Sequence, residues 1–136
     1  MNPKAPEKLR IALIAHDARK GELADWAHDR RDQLVHCTLM ATGNTGLQVL
    51  GRCPELTVER LLSGPLGGDQ QIGARIAEGR VDALVFFIDP LSAMPHDVDV
   101  KALIRIAVLK NIQFALNRAT ADCIVLGSHA IAEATP

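Results

Sequence analysis

With 136 residues and 48% hydrophobic content, the chain is long enough to bury one core and too short for two ordinary ones. A formal net charge of −1, with no run of Lys or Arg, excludes nucleic-acid or lipid binding driven by charge and leaves a neutral small partner or a locally held anion. The opening MNPKAPEKLR lacks the apolar run of a signal peptide and no stretch is long enough to cross a bilayer, so a single-domain cytosolic protein is expected.

LRIALIA (Leu9 to Ala15) is a nearly continuous apolar segment of strand length, the pattern of a strand covered on both faces, and it runs into His16-Asp17. A helix with Leu23, Trp26 and Ala27 inward follows, with His28-Asp29 as a surface pair on its polar side. LVHCTLM (Leu34 to Met40) reads as a weaker strand ending at ATGNTG, and TVERLLS (Thr57 to Ser63) alternates like an edge strand. The edge strand leads into SGPLGGDQQIG, residues 63–73, where Ile72 and Ile76 mark a short helix that ends at Gly79. DALVFFI (Asp82 to Ile88) is a second fully apolar strand, closing on Asp89-Pro90. Val100, Leu103, Ile104, Ala107 and Val108 repeat with helical spacing, with a stop at Asn111. FALN (Phe114 to Asn117) and CIVLG (Cys123 to Gly127) read as further strands. Strand alternating with helix predicts a parallel sheet with helices on both faces, because parallel neighbours need right-handed crossovers. Cys37, Cys53 and Cys123 are odd in number and form no CxxC, which suits reduced thiols in strands or turns; His36 and His129 are read as structural or exposed.

In such sheets a ligand lies beyond the carboxyl ends of the strands. The polar clusters fall there: His16-Asp17 with Lys20, the loop from Ala41 through Thr42, Gly43, Asn44 and Thr45 to Gly46, Ser63-Gly64-Pro65 leading to Asp69, and Asp89 through His96 to Asp99. Small residues let backbone N–H groups approach an oxygen, and Thr42, Thr45 and Ser63 add hydroxyls. Helix N-termini add a favourable dipole and Lys20 a full charge, which together describe anion capture. Turn chemistry alone also accounts for a threonine-glycine loop. Neither GxxxxGK[ST] nor GxGxxG is present, so the pattern fits one phosphate group on a small molecule better than a nucleoside triphosphate or dinucleotide. Asp69, His96 and Asp99 supply a base and an acid or electrophile, the set needed to take a proton beside a carbonyl while polarising it. Each has a structural alternative: Asp69 and Asp99 as helix N-caps, His96-Asp97 as a solvated turn. His16, His96 and the aspartates also admit a metal, but no HExxH or similar local spacing supports one, and metal-free acid–base chemistry is preferred.

The series AHDARK, ATGNTG, SGPLGGDQQIG, FFIDP and PHDVDVKALIR, in this order, closely resembles methylglyoxal synthase from about Leu9 to His129. The resemblance implies a three-layer α/β/α fold with a mainly parallel five-stranded sheet. It also implies conversion of dihydroxyacetone phosphate to methylglyoxal and inorganic phosphate, without metal or organic cofactor, in a homohexamer. Carried over by motif, Asp69 takes the proton from the substrate carbon, His96 donates to the substrate oxygens, and Asp99 lies near the reacting centre. His16, Lys20, Thr42, Gly43, Asn44, Thr45, Ser63 and Gly64 match the substrate and phosphate contacts. Two departures accompany the match: Asn44 stands where the family commonly has the first threonine of GTTG, and the chain stops at Pro136, where family members often continue to an arginine that reaches a neighbouring subunit. The same fold also serves as a small-ligand regulatory module of large synthetases and as a cyclohydrolase domain in the purine pathway, so a non-catalytic phosphate-binding module is the alternative.

Overall fold

The computed structural model describes residues 8–91 and 98–134, with side chains described for 8–91 and 100–127. Its strands are β1 (Arg10–Ala15), β2 (Thr38–Ala41), β3 (Val58–Arg60), β4 (Ala83–Phe87) and β5 (Gln113–Ala115). Its helices are α1 (Lys20–Asp29), α2 (Arg31–Leu34), α3 (Gly43–Arg52), α4 (Gly68–Ala77), α5 (Val98–Leu109) and α6 (Arg118–Ala134), with 3₁₀ turns at Asp17–Arg19 and Gly64–Leu66. The sheet runs β3-β2-β1-β4-β5 with every pairing parallel, and Ile11 is in register with both Leu39 and Ala83. The order reverses direction between β1 and β4, so their carboxyl ends flank the switch point at which such sheets open a crevice.

The near-continuous apolar sequences of β1 and β4 follow from their place at the centre, where both faces are covered. Ile11, Leu13, Val85 and Phe87 pack with Trp26, Val49 and Ile124 on the face of α1, α3 and α6, while Ala12, Ile14, Leu84 and Phe86 pack with Ile72, Ile76 and Leu103 beneath α4 and α5. Trp26 is fully buried, and its Nε1–H donates to Asp122 Oδ1 at 2.8 Å. Arg30 Nε donates to the same oxygen at 2.8 Å, pinning α6 to α1. The edge strands β3 and β5 are three residues each, as expected where one side of the ladder lacks a partner.

Several expectations need correction. CIVLG is not a strand: it lies inside α6, where Ala121, Ile124 and Val125 turn inward at helical spacing and Cys123 faces solvent. A five-residue apolar run satisfies both periods, and the decisive signal is Asn117, whose Oδ1 accepts the Thr120 N–H at 3.0 Å and starts a helix. The segment from Leu34 is strand only from Thr38; Leu34 ends α2 and is fully buried there. In α5 the buried stripe is Leu103 and Ala107, whereas Val108 is exposed, because the helix meets the sheet along a narrower face than its sequence offers. The expected stops hold: Gly79 and Asn111 both adopt positive φ, 76° and 56°.

Candidate active site

Alternation along β1 puts His16 on the same side as Ala12 and Ile14, the side covered by α4 and α5. Its backbone N–H donates to Phe87 O at 3.1 Å and its ring meets Phe86 edge-on, centroids 5.2 Å apart. The Asp89 backbone N–H donates to His16 Nδ1 at 2.8 Å across the switch point. A backbone N–H can only donate, so Nδ1 is unprotonated and the neutral ring carries its hydrogen on Nε2. The Asp89 carboxylate accepts the Leu91 N–H at 3.0 Å, which turns the chain as it leaves β4.

Lys20 opens α1, and its ammonium lies 2.6 Å from Asp17 Oδ1. The lysine side chain is 13% exposed and the aspartate 94%, so the cation is held inward by a partner that water can take away. The hydrogen bond from Lys20 holds the Asp17 carboxyl below the usual carboxylate range.

The threonine-glycine loop joins β2 to α3. Thr42 and Thr45 are buried, with the Thr42 hydroxyl donating to Thr45 Oγ1 at 3.1 Å, whereas the Asn44 side chain is exposed. The Gly46 N–H bonds Thr42 O, and the Gly43 N–H bonds Leu62 O of the neighbouring loop at 3.1 Å. The Asn44 and Thr45 amides sit in the first helical turn, where no carbonyl of the same helix can accept them.

The segment after β3 wraps the start of α4. Ser63 O accepts the N–H groups of Leu66 and Gly68 at 3.0 and 2.9 Å, and Gly67 takes φ 107°, a conformation that favours glycine. A Cβ on Gly68 would fall 1.9 Å from Leu62 O, so only glycine lets the two loops cross there. The capping alternative for Asp69 does not hold: Gly67 is the N-cap and Asp69 is the second residue of the helix. The half-buried Asp69 carboxylate instead lies across Gly64, whose Cβ position would be 3.6 Å from Oδ1 and 3.7 Å from Oδ2.

Three of the expected clusters thus begin or adjoin helices at the carboxyl ends of β1 to β3, His16 with Lys20, Thr42 to Thr45, and Ser63 and Gly64 with Asp69, and Asp89 of the fourth follows the carboxyl end of β4. His96 lies outside the described residues. Asp99 is the second residue of α5, so it is not the N-cap, and its side chain lies outside the described residues. Sequence reasoning missed the Asp89 amide, the Leu62 peptide and Gln71, whose Oε1 accepts the Leu62 N–H at 2.8 Å. Only Gln71 left a signal, in the run GGDQQ. A cavity of about 370 Å³ opens at the carboxyl end of β4, lined by Arg19, Glu22, Phe87, Ile88, Pro90, Leu116 and Asn117. Its lining flanks Asp89 and adjoins Lys20 in the chain without including either, and its Arg19 is paired to Glu22 at 2.7 Å. Among the described residues no cluster of three His, Cys, Asp or Glu is placed to hold a metal, and no helix is long and apolar enough to cross a membrane.

The family model described as "MGS-like domain" matches residues 22–116. The methylglyoxal synthase of Rhizobium rhizogenes is 60% identical over 115 residues, 85% of this chain and 91% of that protein. The methylglyoxal synthase of Brucella anthropi is 56% identical over 119 residues, 88% and 95% of the two chains. Among solved structures, that of methylglyoxal synthase from Elizabethkingia anophelis NUHP1 superposes with a TM-score of 0.83 at 46% identity, covering 88% of this chain and 78% of the other.

Proposed function

The chain belongs to the methylglyoxal synthase family, and from that membership we propose that it converts dihydroxyacetone phosphate to methylglyoxal and inorganic phosphate with Asp69 as the base. The reaction is a carbon–oxygen lyase step. A proton leaves the hydroxymethyl carbon beside the carbonyl, and the electron pair left behind forms the enediolate. The enediolate then expels phosphate from the other carbon as its C–O bond breaks, and the enol that remains ketonises to methylglyoxal. Nothing here is oxidised or reduced by a second reactant, and the released proton is carried by the base and returned to the product.

In this reading the His16 Nε2–H and His96 donate to the substrate oxygens, so that charge developing on the carbonyl oxygen meets a donor. Asp99 lies near the reacting centre. Lys20, Thr42, Gly43, Asn44, Thr45, Ser63 and Gly64 hold the phosphate, the Asn44 contribution coming from its backbone. The clamp does more than bind. An enediolate can also be reprotonated, and elimination wins only when the bridging C–O bond stands roughly perpendicular to the enediolate plane, an orientation that a fixed phosphate imposes. The acid–base work is assigned to these side chains without a metal, in a cytoplasmic single-domain protein assembled as a homohexamer. The non-catalytic alternative gains nothing from relatives that carry the enzyme's name at such identity.

The observation that supports this most directly is the Asp69 carboxylate lying across Gly64, because it joins a base to the turn assigned to the phosphate. The test is incubation of the purified protein with dihydroxyacetone phosphate, following phosphate and methylglyoxal together. Equal amounts of the two are expected, and substrate recovered intact would overturn the assignment.

A further inference from the structure

The Leu62 peptide is a knot between three elements. Its carbonyl accepts the Gly43 N–H at 3.1 Å from the first residue of α3, and the same oxygen rests where a Cβ on Gly68 would lie, 1.9 Å away. Its N–H donates to Gln71 Oε1 at 2.8 Å. The preceding Leu61 N–H pairs with Ala41 O of β2 at 2.8 Å, and past the end of β3 the chain turns so that the Leu62 carbonyl meets α3 while its N–H meets α4. Gln71 supplies the acceptor for that N–H. Both Gln71 and Leu62 are exposed, so the bond adds little to global stability, and its effect is to fix where the peptide stands.

That position matters because Ser63 and Gly64 follow directly, and Gly64 lies beneath the Asp69 carboxylate. Asp69 and Gln71 are carried by one helix, α4. The side chain of Gln71 therefore ties the turn that receives phosphate to the helix that carries the base, and through Gly43 to the start of α3. We propose that Gln71 is a positioning residue: it sets the Ser63–Gly64 turn relative to Asp69 and so favours elimination of phosphate over return of the proton. This rests on the lyase reading above.

The experiment compares the full-length parent with Gln71→Leu, which keeps the size and loses the acceptor, and Gln71→Glu, which keeps an acceptor oxygen. Turnover, phosphate inhibition, thermal midpoint and solvent deuterium returned to recovered substrate are measured on each, with amide exchange at Leu62 followed in the parent. A displacement of the order of an ångström at a reacting centre costs up to about a hundredfold, so Gln71→Leu is expected to lose about tenfold to a hundredfold in kcat. Its midpoint should fall by no more than about 5 °C, the effect of one exposed hydrogen bond. The ratio of deuterium returned to phosphate released should rise, a change that a smaller folded fraction would not produce because it lowers both equally. Gln71→Glu should stay within about threefold of the parent, since a carboxylate oxygen accepts the same N–H. The proposal is overturned by a folded Gln71→Leu with parental turnover and ratio, by Gln71→Glu failing as badly as Gln71→Leu, or by Gln71→Leu losing its fold. Unprotected exchange at Leu62 in the parent also overturns it. A parent inactive on dihydroxyacetone phosphate speaks against the lyase reading instead and leaves the Leu62 exchange to judge the tether.

Discussion

The Asp89 amide and the His16 imidazole meet at 2.8 Å across the carboxyl ends of β4 and β1, and the direction of that hydrogen bond makes the ring a donor through Nε2. Nitrogen NMR of the folded protein near pH 7.5 is expected to find Nδ1 of His16 unprotonated and Nε2 protonated. The opposite tautomer would remove His16 from the donors available to a developing oxyanion.

Asp69→Asn removes the proton acceptor and keeps the shape. Because Gly67 holds the capping position, the variant gives up no cap; the first-turn charge it removes is worth about 0.3 to 1 kcal/mol of helix-dipole interaction, and the fold should survive. General-base catalysis contributes about 10²- to 10⁴-fold, so methylglyoxal formation and exchange of the substrate's carbon-bound proton should both fall by that order while phosphate still binds. A variant that made product at near the parental rate would move the base elsewhere, with Asp99 next in line.

Lys20→Ala should weaken the substrate and free phosphate alike, by about 1.5 to 3 kcal/mol, the range for hydrogen bonds to charged groups. The Asp17 that occupies the ammonium is almost fully exposed, so phosphate displaces a carboxylate that water readily accepts. Inhibition constants for inorganic phosphate measured on both proteins decide the matter; equal values would separate Lys20 from the anion.

Gly68→Ala drives a methyl into Leu62 O, an approach of 1.9 Å before relaxation. Overpacking of this kind costs about 1 to 3 kcal/mol, and here the yielding atom is backbone shared with the Gly43 N–H. A lower thermal midpoint together with weakened phosphate binding is expected. Parental values for both would mean that the loop crossing adjusts freely.

Acid should destabilise the fold through Asp82 and Asp122. The hydrogen bonds of Arg10 hold the Asp82 carboxyl below its usual range, and those of Arg30, then Trp26, do the same for Asp122. A carboxylate depressed in the folded state binds fewer protons there than in the unfolded chain. Its contribution is therefore complete above the unfolded value, about 3.9, and is lost as pH falls through the depressed one. The difference in thermal midpoint between the parent and Asp82→Asn should thus be widest near neutrality and shrink below about pH 4. A difference that held constant down to pH 2.5 would contradict the assignment.

The central strands were legible because both faces of β1 and β4 are covered and every position after Arg10 is apolar. CIVLG misled because burial at Ala121, Ile124 and Val125 needs only one helical face, and that face and a short strand share the same letters. The loops of the site could be read from their glycines and hydroxyls, since those residue types are needed wherever backbone must approach an oxygen. What could not be read were contacts made by backbone groups irrespective of side chain. The partner of His16 Nδ1 is an amide 73 positions away, and the Leu62 peptide would serve equally well in many other residues. Asp69 was legible as a carboxylate at a helix start but not in its posture, because the left-handed turn at Gly67 takes the cap and turns the carboxylate toward Gly64.

The bond from Trp26 to Asp122 has an optical consequence. The chain contains one tryptophan and no tyrosine, so its near-ultraviolet emission comes from a single indole. That indole is fully buried, 5.9 Å from the Phe87 ring, and tethered to α6. Detachment of α6 would bare the ring to water and shift its emission to the red. A change confined to the α4 and α5 side would leave the signal still, so in an unlabelled protein the emission reports on the α1 and α6 face alone.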